Sequence, residues 1–148
     1  MNTKNELKGS IVFVVLVVLL PFLVVPMASA SDWGYKKAIE IDHNNVATTL
    51  TDFPVLISMT DADLRDDAQD DGDDIAFFLE TTQLAHEIES FNGTTGELQA
   101  WVNVPTLSSA TNTTIYMYYG NATCESQENV EAVWDDNFKM VQHLAETT

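Results

Sequence analysis

Across residues 98–104 every second side chain is apolar: Leu98, Ala100, Val102 and Val104 alternate with Gln99, Trp101 and Asn103. An extended strand points its side chains to opposite faces in turn, so such a segment buries one face in a core and turns the other outward. The pattern recurs. Residues 35–42 place Tyr35, Lys37, Ile39 and Ile41 on one side, and residues 53–59 do the same with Phe53, Val55, Ile57 and Met59. Residues 75–80, 84–91 and 114–119 supply three more strands, and turn chemistry at Asp42-His43-Asn44-Asn45, Asp71-Gly72, Asn92-Gly93 and Thr95-Gly96 separates them. Residues 61–69 lack β-branched side chains and read as one short helix, with Thr60 as its cap and Asp61 and Asp63 where a helix start favours negative charge. The expectation is all-β: an antiparallel β-sandwich, jelly-roll or immunoglobulin-like, with one short helix.

A hydrophobic leader precedes this domain. Lys4 and Lys8 stand before an apolar run at residues 11–25, and Ala28-Ser29-Ala30 offers the small side chains that signal peptidase requires, so cleavage is expected after Ala30. A helix of that run is about 22 Å long, short of a hydrocarbon core of roughly 30 Å. Pro21 and Pro26 weaken it further. Extending the count to Ala30 restores the length, and the alternative is an uncleaved N-terminal anchor. The expected location is therefore secreted or at the cell surface, with membrane contact through this segment alone.

Six Lys and Arg face 23 Asp and Glu, for a net charge of −17. That balance excludes nucleic acid as a partner, because phosphate binding needs clustered bases. Cys124 stands alone, so no disulfide closes within the chain. Oligomeric state is left open.

Several strings bear on chemistry. Asp70, Asp71, Asp73 and Asp74 surround Gly72 in an oxygen-rich loop of the kind that binds Ca²⁺. The EF-hand spacing fails, since Phe78 falls where the bidentate Glu belongs. The expected reading is a solvated acidic helix and turn with no cofactor; the alternative is a Ca²⁺ site of another geometry that adds backbone carbonyls. His86-Glu87-Ile88-Glu89 begins like a zinc-protease helix, but Ser90 replaces the second His and the segment alternates as a strand. Glu87 and Glu89 lie about 7 Å apart on one strand face, and neighbours on one strand do not flank a sugar from opposite sides. No Gly-x-Ser-x-Gly elbow is present. No enzyme is expected.

Trp101 shares its polar face with Gln99 and Asn103, which gives a flat apolar ring among amides, the makings of a carbohydrate platform; the alternative is that Trp101 packs under a loop or that both sandwich faces are partly covered. Tyr116 and Tyr118, on one face of their own strand, are expected to extend it. Trp33 and Trp134 are expected to seal the two ends of the domain. Three Asn-x-Thr triplets, at Asn92, Asn112 and Asn121, fall in turns and are candidate glycosylation sites.

Five strings in order, Trp33-Gly-Tyr35-Lys36-Lys37, Asp70-Asp-Gly72-Asp-Asp74-Ile75-Ala-Phe77, His86-Glu-Ile-Glu89-Ser90, Ala100-Trp101-Val-Asn-Val-Pro105 and Thr114-Ile-Tyr-Met-Tyr-Tyr119-Gly-Asn121, resemble domain of unknown function family 2341, found in exported bacterial and archaeal proteins. The resemblance places the domain at residues 31–133, after a leader at 1–30. Residues 134–148 resemble the start of a following concanavalin-A-like, laminin-G-type domain; the alternative is a C-terminal strand. No known activity comes with the family. The resemblance implies a non-enzymatic surface module for adhesion, carbohydrate contact or spacing, with glycans or surface proteins as partners. Its alternatives are an accessory domain of an exported glycan-active enzyme and an extracytoplasmic domain of a MotA/TolQ/ExbB-type transport system.

Overall fold

The computed structural model describes residues 33–134. The expected leader, its cleavage site after Ala30 and all of the expected second domain except Trp134 lie outside the described residues. Among the described residues seven strands are seen: β1 (Tyr35–Ile41), β2 (Leu50–Thr60), β3 (Ala76–Leu79), β4 (Thr82–Leu84), β5 (His86–Asn92), β6 (Glu97–Leu107) and β7 (Thr113–Tyr119). They form a four-stranded sheet in the order β1-β7-β3-β4 and a three-stranded sheet in the order β2-β6-β5. Every pairing is antiparallel. The two sheets pack face to face as a β-sandwich, the class that the alternating pattern implies.

The core lies between the sheets. Leu98, Ala100, Val102 and Val104 of β6 are fully buried and pack with Phe77 of β3 and Ile115 and Met117 of β7. Removing a large apolar side chain from water stabilises by roughly 1.5–3 kcal/mol. With the only cysteine, Cys124, unpaired, this packing carries the fold.

Residues 84–91, expected as one strand, are parts of two. The chain leaves the four-stranded sheet at Leu84 and joins the three-stranded sheet at His86. Ala85 sits at the switch, and its carbonyl accepts the Asn103 N–H at 2.9 Å. Leu84 and His86 are both buried, so the alternation runs through the switch without a break. This crossing ties the two sheets together along their β4 and β5 edges.

Helix α1 (Ala62–Asp67) links β2 to β3 and buries Leu64. Its cap is Asp61 rather than Thr60: the Asp61 carboxylate accepts the Asp63 N–H at 3.0 Å. The Lys37 ammonium on β1 bonds to Asp61 and, at 3.2 Å, to Asp63. This contact holds the Asp61 carboxyl below its usual range and raises the Lys37 pKa. Two acidic residues near the start of α1 therefore fasten it to the first strand.

Candidate functional site

Gln99, Trp101 and Asn103 alternate with the buried residues of β6 and so face outward from the three-stranded sheet. Leu56 of β2 pairs with Trp101 on one side, and Glu87 of β5 pairs with it on the other. A bulge between Ile88 and Ser90 sets two residues of β5, Glu89 and Ser90, against Gln99. The Trp101 indole N–H donates to Glu89 Oε2 at 2.9 Å. That of Trp134 donates to Glu87 Oε2 at 2.8 Å. The two rings lie 5.3 Å apart, centroid to centroid, tilted by 56°. Leu56, 44 % exposed, widens the apolar area beside them.

Trp134 reaches this face on a strap. After β7 the chain crosses back to the three-stranded sheet, where the Asn129 N–H donates to the His86 carbonyl at 3.0 Å and Glu128 Oε1 accepts the Ile88 N–H at 2.6 Å. Asn103 Nδ2 donates to the carbonyls of Ala132 and Val133, at 3.4 and 3.1 Å, and Val133 is buried. Asn103 thus fastens the strap, and that same strap brings in a second indole. The expectation that Trp134 seals an end of the domain is corrected: it stands beside Trp101. No periodicity links residues 33 apart on separate elements, so only the path of the strap reveals the pair.

Tyr116 and Tyr118 do not extend this face. They project from β7 of the other sheet, on the opposite outside of the sandwich, because their neighbours Ile115 and Met117 fill the core. Tyr118 is buried in a cluster with Trp33, Ala76 and Phe78. The Lys36 ammonium covers Tyr116 at 3.7 Å from the ring centroid. Trp33 itself lies edge-on to Phe78 and Tyr118 and donates its N–H to the Asp74 carbonyl at 2.6 Å. It covers the outer face of the four-stranded sheet rather than an end.

Asp70, Asp71, Asp73 and Asp74 are likewise not brought together. Among the described residues no group of three or more His, Cys, Asp or Glu side chains is arranged to hold a metal ion. Asp74 turns inward and is almost wholly buried. Its Oδ1 accepts the Gln69 N–H at 2.9 Å, and its Oδ2 accepts those of Gly120 and Asn121 at 2.7 and 2.9 Å. It joins the loop before β3 to the end of β7. Asp71 accepts the Asp73 N–H at 3.2 Å in a local turn.

The three triplet asparagines sit at turns, each already holding backbone. Asn92 accepts the Thr94 N–H at 3.0 Å, and Asn121 accepts that of Thr123 at 3.3 Å. Asn112 bonds across the end of the sandwich to the His43 N–H at 3.0 Å. His86, the first residue of the incomplete zinc string, is fully buried edge-on to Phe77, 5.3 Å between centroids.

A family model described as "Domain of unknown function (DUF2341)" matches residues 71–146. The chain belongs to this family. The matched span takes in β3 to β7, the strap and both tryptophans of the outer face. It also runs through most of residues 134–148, the segment expected to open a concanavalin-A-like domain. No curated protein and no solved structure matches the chain.

Proposed function

We propose that this member of the family is an exported surface module that binds neutral glycans on the outer face of its three-stranded sheet. One observation carries the reading: Trp101 and Trp134, tilted against each other, each have the indole N–H anchored by a carboxylate. Anchored indoles are rigid apolar surfaces, and the face of a sugar ring stacks on such surfaces with little loss of side-chain freedom. Gln99 stands beside them as an amide for hydroxyl groups.

Charge narrows the ligand. The cations among the described residues are Lys36, Lys37 and Arg65. Lys36 lies over Tyr116 on the other sheet, Lys37 is bonded to Asp61 and Asp63, and Arg65 is paired with Asp66. Among the described residues no cation is thus left to meet a uronic, sialic or sulfated sugar on the tryptophan face. Glu87 and Glu89 both rise from one strand, so the role is binding and not glycosidic cleavage.

The leader read from the sequence supplies the address, and contact with glycans at the cell surface or beyond follows from the two together. The test is a glycan array probed with the full chain and with Trp101→Ala, each checked for folding by its thermal transition. Neutral glycans should give signal that the variant loses. A blank array, or signal that the variant retains, overturns the reading.

A further inference from the structure

Beside the tryptophan pair, and sharing Trp134 with it, a groove of about 360 Å³ opens between β6, β4 and the strap. Asp52, Thr82, Gln83 and Asn103 bring polar groups to it, and Pro105 and Trp134 supply apolar walls. We propose that this groove is a second sugar subsite, so that the ligand is a linear neutral oligosaccharide lying along the Trp101 face and into the groove at once. This rests on the glycan reading above.

Three observations lead to it. First, the volume is at the low end of the roughly 300–1,000 Å³ of small-ligand sites, suited to part of a sugar chain rather than to a folded partner. Second, the lining combines an aromatic wall with a carboxylate, a hydroxyl, the Gln83 amide and the Asn103 amide oxygen, whose Nδ2 is held by the strap, which is the chemistry that recognises a ring with several hydroxyl groups; none of the described cations lines it. Third, the outward side chains of β6 run Gln99, Trp101, Asn103, Pro105 in one row. At about 3.3 Å per residue, Trp101 and Pro105 are roughly 13 Å apart, longer than one sugar ring. A ligand that used both ends of the row would therefore have to be a chain.

Chain length separates this proposal from the reading beneath it. The full protein is titrated calorimetrically with dimers and pentamers of the cello-, manno- and chito-oligosaccharide series, alongside Trp101→Ala and the double variant Thr82→Ala/Gln83→Ala. Thr82 is exposed and Gln83 half-buried on an edge strand, so the double variant is expected to keep the fold. A pentamer of at least one series should bind about tenfold or more tightly than its dimer. The double variant should lose most of that gain while leaving dimer affinity within about twofold. Equal affinity of dimer and pentamer, or a pentamer advantage that survives in the double variant, overturns the second subsite and leaves the Trp101 face standing. Absence of binding in all three series, or binding unchanged in Trp101→Ala, overturns both.

Discussion

The sharpest consequence of the fold concerns His86. Its imidazole is fully buried against Phe77, and neither ring nitrogen has a hydrogen-bond partner among the described residues. Burial lowers its pKa from 6.5 to about 4; the carbonyls of Leu84 and Ile75 favour the protonated ring but do not reach hydrogen-bonding geometry, and the effect of burial dominates. The folded state thus binds fewer protons here than the unfolded chain, and stability rises with pH. The contribution is complete above about 6.5, fades as pH falls toward 4, and is constant below that. A displacement from 6.5 to about 4 corresponds to about 3 kcal/mol. The many carboxylates titrate over part of the same range, so the measurement must be a difference. Urea unfolding of the parent and of His86→Leu at pH 7, 6, 5 and 4, at fixed ionic strength, gives it. Carboxylates distant from the substitution act equally on both proteins and cancel. Whatever the offset at pH 7, the difference should move by about 3 kcal/mol in favour of the variant by pH 4. A difference flat to within about 0.5 kcal/mol would refute the buried neutral ring.

Three other substitutions or probes test the frame. Asp74→Asn keeps the shape but leaves one of its two acceptor positions as an amide donor facing backbone N–H groups. It should cost about 2–4 kcal/mol in urea unfolding at pH 7, from the loss of charge-assisted bonds. Gly96→Ala should cost at least about 2 kcal/mol by the same measurement, because φ is +71° and the new methyl would meet the Asp61 carbonyl at the start of α1. The Cys124 thiol is pushed up in pKa by burial and, secondarily, by the charge of Asp74. Alkylation followed by mass spectrometry at pH 8 should therefore be several-fold slower on the folded chain than after unfolding.

What alternation can and cannot convey accounts for the rest. It assigns a side chain to the core or away from it, and the inward residues of β1, β6 and β7 follow it. It does not say which strand lies alongside, so Ala85 changes sheets inside an unbroken pattern. Nor does it say which outside a residue faces. A sandwich has two, and Tyr116 and Trp101 face away from the core in opposite directions for the same periodic reason. Asp74 was hidden differently: in a run of aspartates a carboxylate reads as solvated, and only the approach of three backbone N–H groups, one from its own loop and two from the distant end of β7, makes burial tolerable.

One amide helps to hold Trp134 beside Trp101. Asn103, expected to meet a ligand hydroxyl, instead donates to two strap carbonyls and so sets where the second indole stands. Asn103→Ala would remove both bonds while leaving both tryptophans in the chain. If the site is the pair, glycan affinity in the variant should fall several-fold with little change in thermal stability, since the strap remains bonded at Asn129 and Glu128. Measured with a dimer, too short to reach the groove that Asn103 also lines, affinity is unchanged if Trp101 acts alone. Isothermal titration of Asn103→Ala beside Trp101→Ala distinguishes the two, and equal affinity of Asn103→Ala and the parent would reduce the site to a single ring.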